Sequence, residues 1–256
     1  MRAWVGAVCL ALLLVSAPAR GQDRSPAARL AEALARARAD GSLARATGEH
    51  YLLSARAAYL LRLELHEQGG LLVELETRFL AHHAPLFHDA LSLSSTGQVG
   101  SMSCGLWLPA ADGKEVRVAR DEVGRLRWEV ASTRVAGQGA ASESGTLTWA
   151  DDQLPYLVVD FLWPLIGEEG TLVCRRIGLL RQPQPGQVPL TNTPARVALE
   201  RGETGTSAAV SWGKTSFRVE RSPGGRLLGR KTGDVAGEAW EAVTRERFWA
   251  AVNAPR

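Results

Sequence analysis

Apolar and polar residues alternate along much of this 256-residue chain, most clearly between residues 54 and 66. A period of two sustained over a dozen residues is typical of a long β-strand with one buried face. A Gly-Gly turn at 69–70 and a second alternating run over 71–79 complete an antiparallel hairpin. The residues of this hairpin that we predict to face the core are Tyr59, Leu61, Leu63, Val73 and Leu75.

Further alternating runs follow to near the end of the chain. They are separated by turn signals such as the Ser-Pro-Gly-Gly run at 222–225. It predicts one mainly β domain over residues 47–256. Beyond the hairpin, we expect strands around 91–93, 102–108, 116–118, 126–130, 147–149, 171–180, 196–201, 206–212, 215–220 and 226–231.

Two segments have the pattern of flanking helices. Residues 26–39 are rich in Ala and Arg, with Ser25 as a capping residue and Pro26 at the first helical position, which predicts a surface helix within a 20–46 helix-and-linker region. At the other end, residues 234–252 carry an apolar stripe behind a possible Asp234 cap, which predicts a closing helix.

Residues 153–166 break the strand pattern because they are apolar on every side. Pro155 is placed to start a short helix, and Pro164 is placed to end or kink it. We therefore expect a short apolar plug or lid packed on the sheet. Asp160 is the only charge between Asp152 and Glu168, so it is expected either to pair with an arginine or to lie on a solvated face.

The order of these patterns resembles exported bacterial half-barrel proteins, the lipoprotein-carrier-like folds and related families of unknown function. The resemblance covers residues 47–233 and lies in the apolar segment 154–165, the strand 170–173 that follows it, and the late strand-turn-strand of 217–220 and 225–228. It implies a large curved antiparallel sheet, a half-barrel or open barrel, with the apolar helix packed on it. It also implies a concave apolar surface for a lipid-like ligand, and it brings no catalytic residues.

The first residues of the chain predict export. Arg2 precedes an uncharged apolar run over 3–15, and small residues follow at Ala17 and Ala19. This is the three-part pattern of a secretory signal peptide over residues 1–19, with cleavage after Ala19 or, as the alternative, after Gly21. The apolar run is shorter than the ~20 residues that a membrane-spanning helix needs. We expect a periplasmic or extracellular protein without a transmembrane segment after cleavage.

Removal of the signal peptide leaves two cysteines, Cys104 and Cys174. In an oxidising compartment a lone pair of thiols tends to be joined, so a Cys104–Cys174 disulfide is predicted. The alternative is two separately buried thiols that pack as small apolar groups.

Charge and motifs restrict the function classes. A net charge of +3, with scattered arginines, gives no basis for nucleic-acid binding. The histidines cluster between residues 50 and 88, and the His82–Asp89 segment groups four possible ligands without the spacing of a zinc site. We expect no cofactor and no metal.

Three functions stay open. The first is a non-enzymatic binding or carrier module of the cell envelope for an apolar, lipid-like ligand. The second is an envelope scaffold or interaction protein that has no ligand pocket and binds a protein partner. The third is a secreted hydrolase that uses the His82–Asp89 region. The residues we predict for ligand binding are Tyr156, Asp160, Trp163, Tyr59 and Leu61.

Overall fold

The structure, a computed structural model, describes residues 24–80, 85–106, 114–132, 141–203, 205–222, 227–232 and 239–254. The helices in these ranges are α1 (Pro26–Ala39), α2 (Ser42–Ala46), a π-helix (Val158–Leu162), α3 (Trp163–Ile166) and α4 (Arg245–Val252). The first eight strands are β1 (Gly48–Ser54), β2 (Ala57–Leu65), β3 (Leu71–Phe79), β4 (Pro85–Leu93), β5 (Val99–Leu106), β6 (Lys114–Arg120), β7 (Leu126–Ser132) and β8 (Ala141–Leu147). The others are β9 (Gln153–Pro155), β10 (Gly170–Leu179), β11 (Leu190–Gly202), β12 (Gly205–Trp212), β13 (Thr215–Arg221), β14 (Leu227–Thr232) and β15 (Trp240–Ala242).

These strands form one sheet in the order β8-β7-β6-β5-β4-β3-β2-β1-β15-β14-β13-β12-β11-β10-β9. Neighbouring strands are antiparallel except for β9 and β10, which are parallel. The link between β14 and β15 is short, with only Gly229 opposite Glu241 and Arg230 opposite Trp240. The sheet is not closed, because β8 and β9 are its two ends. The mainly β class and the large antiparallel sheet are confirmed.

The predicted β2–β3 hairpin is present in the expected register. Leu61 lies opposite Leu75 and Leu63 lies opposite Val73, and all four side chains are buried on the inner face. The strand begins three residues later than predicted, because the Ser54 side chain accepts hydrogen bonds from the N–H groups of Arg56 and Ala57. These bonds make a tight turn between β1 and β2.

The inner face of the sheet, α1 and the apolar segment form one continuous core. The inward side of α1, formed by Leu30, Ala33, Leu34 and Ala37, is fully buried in it. The Ser25 side chain caps this helix by accepting the N–H of Ala28, as expected. The helix spans the residues predicted for it, and its exposed face carries Glu32 and Arg36 while the small and apolar side chains of the other face cover the sheet.

The apolar segment 153–166 is buried as a strand, a π-helix and the short α3 in succession. Pro164 does not end the helix but lies in the first turn of α3. Proline has no N–H, so it cannot donate to the carbonyl of Asp160 four residues earlier, as an α-helix requires. The π-helix ends at Leu162, two residues before Pro164, and the Asp160 carbonyl lies within its wider turns, which do not use the α-helical hydrogen bond.

Helix α4 packs on the opposite, outer face of β1 and β2. Phe248 is completely buried there in a second small core with Leu53, Ala58 and Leu60. The predicted 234–252 helix was wrong in its first half, because residues 240–242 form β15 beside β1 and the helix begins at Arg245, capped by Thr244. The proposed Asp234 cap lies outside the described residues.

The two cysteines are not joined, so the predicted Cys104–Cys174 disulfide was wrong. Both thiols are free and buried. Cys104 lies on β5 and Cys174 on β10, which are far apart in the strand order of the sheet. The alternative of two separately buried thiols is the one observed.

The predicted signal peptide lies outside the described residues. Within the ranges that the structure covers, no helix combines the length and the apolar character needed to cross a membrane.

Candidate ligand-binding site

An ion pair joins the apolar segment to the sheet. Arg176 of β10 donates from Nε to Oδ1 of Asp160 at 2.9 Å and from Nη2 to Oδ2 at 2.6 Å. Asp160 is only 6% exposed. A buried carboxylate is costly without a partner, and a two-point arginine contact is the strongest form of such a pair. The expectation that Asp160 pairs with an arginine is therefore confirmed.

Two aromatic rings hold the guanidinium of Arg176 in place. Its central carbon lies 4.1 Å from the centre of the Trp212 ring and 5.1 Å from the centre of the Tyr156 ring. Trp212 stands at the end of β12, and Tyr156 follows β9. Both distances allow cation–π attraction, so the cation is fixed by the rings as well as by Asp160.

A second carboxylate–arginine pair lies beside Tyr156. Asp89 of β4 is 1% exposed and accepts a hydrogen bond of 2.6 Å from Nη2 of Arg181. Burial raises the pKa of Asp89, and the nearby Arg181 only partly opposes this. The Arg181 guanidinium lies 3.7 Å from the centre of the Phe87 ring, and its side chain is 36% exposed. Arg181 is therefore the partly exposed member of the pair.

Two polar atoms of this region lack a hydrogen-bond partner among the described residues. They are Oδ1 of Asp89 and the hydroxyl oxygen of Tyr156. The hydroxyl lies close to the Asp89 carboxylate, and burial together with this carboxylate raises the pKa of Tyr156 well above its usual range. Unsatisfied buried polar atoms are rare and call for a ligand atom or a water molecule.

We name this region the arginine–aromatic cluster, formed by Asp89, Tyr156, Asp160, Arg176, Arg181 and Trp212. Its chemistry suits binding better than nucleophilic attack. Cys104 lies beside Asp89, but burial raises the pKa of this thiol to about 12, so it is protonated at neutral pH. The cluster offers two cations, two carboxylates, two rings and the hydroxyl of Tyr156.

The predicted ligand-binding residues fall into two groups. Tyr156 and Asp160 meet in the arginine–aromatic cluster. Trp163 and Leu61 are completely buried in the main core, where Tyr59 is partly buried against the same side chains. The structure therefore does not bring all five residues together around one opening.

The His82–Asp89 segment is only partly described, since His82 and His83 lie outside the described residues. His88 lies within ion-pair distance of Glu74, at 3.3 Å, while Asp89 is turned into the core towards Arg181. Successive residues of a strand point to opposite faces, so His88 and Asp89 do not face a common substrate. No group of three or more His, Cys, Asp or Glu side chains among the described residues is arranged to hold a metal ion.

Sequence reasoning missed Arg181, Trp212 and the inward role of Asp89. Arg181 and Asp89 are 92 positions apart, and no spacing marks them as partners. Asp89 did carry one signal: it follows the inward alternation of Leu91 and Leu93, so it occupies a core position of β4.

Comparison with known proteins adds no relative. No family model matches the chain, and neither the curated proteins nor the solved structures contain a match.

Proposed function

We propose that this protein is an exported, non-enzymatic interaction protein of the cell envelope. In this proposal the sheet curves as a half-barrel around its own apolar segment and offers its surfaces to partners. Export rests on the N-terminal sequence pattern. A carrier would keep its interior free for a lipid-like ligand, whereas an interaction protein needs no such space. Whether the interior is empty or filled therefore distinguishes the carrier from the interaction protein.

The observation that carries the proposal is the burial of the apolar segment. Val158, Leu162 and Trp163 have no exposed surface at all. A cavity large enough for even one water molecule would leave accessible area on the side chains that line it. The inward residues of the facing strands, such as Leu61, Leu63 and Val197, are equally inaccessible. The protein's own side chains therefore occupy the space where a carrier would hold an acyl chain.

The test is to replace Trp163 and to measure both stability and the binding of an apolar probe. Trp163→Ala should cost about 3–5 kcal/mol in urea unfolding, as a core deletion does. The native protein should show no saturable binding of a fluorescent fatty acid. Trp149→Ala is the matched control, because Trp149 is only partly buried and should cost less. Saturable binding by the native protein that Trp163→Ala removes, at little cost in stability, would contradict the proposal.

One observation favours a second candidate, a site for an amphiphilic ligand at the arginine–aromatic cluster. The unpartnered Asp89 Oδ1 and Tyr156 hydroxyl could receive the polar group of such a ligand. Tyr156→Phe separates the two functions. If the protein is an interaction protein, Tyr156→Phe removes only a buried hydroxyl, and the free energy of unfolding should stay the same or increase. A ligand-binding protein should instead lose ligand stabilisation, seen as a lower melting temperature for material purified from the host.

A further inference from the structure

A cleft at the end of the apolar segment, beside Leu165 and Ile166, is lined by arginines. It encloses about 320 Å³, within the range of small-ligand sites. Its walls are the ends of α1 and α2, the end of α3 and the turn between β11 and β12. The charged side chains that line it are Arg36, Arg45, Arg201, Arg221, Asp40 and Glu203.

Arg201 and Arg221 form no ion pair with a carboxylate among the described residues. Arg221 is partly buried and donates only to the Thr206 hydroxyl, at 3.2 Å. Burial lowers the pKa of Arg221, and the neighbouring Arg201 lowers it further. Two neighbouring guanidinium groups without a shared carboxylate leave positive charge uncompensated.

The other two arginines keep much of their donor capacity for the cleft. Arg45 donates to the backbone carbonyl of Asp40, at 3.2 Å, and Arg36 donates to the carbonyl of Ile166, at 3.3 Å. Nη1 of Arg36 also lies 3.5 Å from Glu168, an exposed pair that contributes little. A guanidinium carries five N–H donors, so these contacts leave others free.

The two carboxylates in the walls neutralise the cleft only in part. Oδ1 of Asp40 accepts the N–H of Ser42 at 2.7 Å, and this contact with Ser42 lowers the pKa of Asp40, which Arg45 and Arg36 also lower. Glu203 is exposed in the turn after β11. Four arginines therefore outnumber two carboxylates in the cleft, and one of these carboxylates, Asp40, already accepts a backbone N–H.

We infer that this cleft binds a phosphate group, supplied either by a free phosphate ion or by the head group of a phospholipid. A phosphate has more acceptor oxygens than a carboxylate and can receive bidentate donation from more than one arginine. Phosphate binding in this cleft requires neither export nor a filled core. A negative binding result would therefore leave the proposed function untouched, and a contradiction of the proposed function would leave this inference untouched.

The experiment measures binding of two probes at constant ionic strength. Inorganic phosphate is titrated by calorimetry, and vesicles of phosphatidylglycerol are compared with vesicles of phosphatidylcholine by sedimentation. The test variant is Arg201→Gln with Arg221→Gln. The matched control is Arg196→Gln with Arg218→Gln, because these exposed arginines lie on the same two strands and remove the same charge outside the cleft.

The test variant should bind the responsive probe at least about tenfold more weakly, while the control stays within about twofold of the native protein, since each charged hydrogen bond is worth roughly a tenfold change. A response to phosphate identifies a free ion as the source, and a response to phosphatidylglycerol vesicles alone identifies a lipid head group. No binding of either probe, or equal losses in test and control variants, would overturn the inference. Arg45→Gln with Arg201→Gln, both exposed positions, gives the same test without the partly buried Arg221.

Discussion

The carboxylate of Asp160 and the guanidinium of Arg176 meet at two points, 2.9 Å and 2.6 Å apart, and this pair connects the π-helix to β10. It is the one place where the apolar segment presents a charge to the sheet. The pair orients Arg176 between Trp212 and Tyr156, so it also builds the arginine–aromatic cluster.

Breaking this pair on one side should be strongly destabilising. Asp160→Asn or Arg176→Gln is expected to cost about 3–5 kcal/mol, because each leaves a buried charge without its partner. The double variant Asp160→Asn with Arg176→Gln should cost less than the sum of the two single changes, because it leaves no unpaired charge. Urea unfolding of all four proteins gives this double-mutant cycle. Additive costs would show that the pair does not couple the segment to the sheet.

The raised pKa of Asp89 predicts an unusual pH dependence. A carboxyl whose pKa is higher in the folded protein contributes stability below its ordinary pKa and loses it as pH rises through the folded value. The melting temperature of the native protein minus that of Asp89→Asn should therefore decrease as the pH rises from about 4 to neutrality.

Glu49 provides the control for this measurement. Hydrogen bonds from Tyr51 and Arg62 lower the pKa of Glu49, so its contribution is lost as pH falls. The difference between native protein and Glu49→Gln should have the opposite sign to the Asp89→Asn difference. The same sign for both variants would contradict the burial of Asp89 as the cause.

Both cysteines should be free and unreactive in the folded protein. Burial raises the pKa of Cys104 and of Cys174 to about 12, and Asp89 and Asp160 respectively add to the rise. Iodoacetamide at pH 8 should leave both residues unmodified until the chain is unfolded, and should then label both without a reductant. Peptide mapping reads each residue separately, and a cross-linked Cys104–Cys174 peptide would refute the free thiols.

The outer core under α4 should depend on one side chain. Phe248 is completely buried against Leu53 and Leu60, so Phe248→Ala should cost about 3–5 kcal/mol. Trp249 is only partly buried and lies over Arg78, which makes Trp249→Ala the milder change. Equal costs in thermal unfolding would mean that α4 is not held by Phe248.

Local patterns predicted the local structure. Alternation located the β2–β3 hairpin and its inward face, and the Ser25–Pro26 pair located the start of α1. The predicted strand 54–66 nevertheless included a turn, because Ala55 continues the alternation while Ser54 makes hydrogen bonds that end β1.

Long-range relationships were not available from the sequence. Two cysteines behind a predicted signal peptide suggested a bridge, but both thiols are free and buried on separate strands, β5 and β10. Arg181 and Trp212 reach the arginine–aromatic cluster from separate parts of the sheet, so only the fold brings them to Tyr156 and Asp89. A single sequence contains no signal for such pairings.

The central claim is that the protein's own apolar segment fills the space inside the sheet. Native mass spectrometry of protein purified from its own host tests this claim most directly, because a bound lipid adds its mass to the folded chain. We predict the mass of the bare processed polypeptide, unchanged when a detergent wash precedes the measurement. A stoichiometric adduct of lipid mass that is lost in the Trp163→Ala variant would contradict the account.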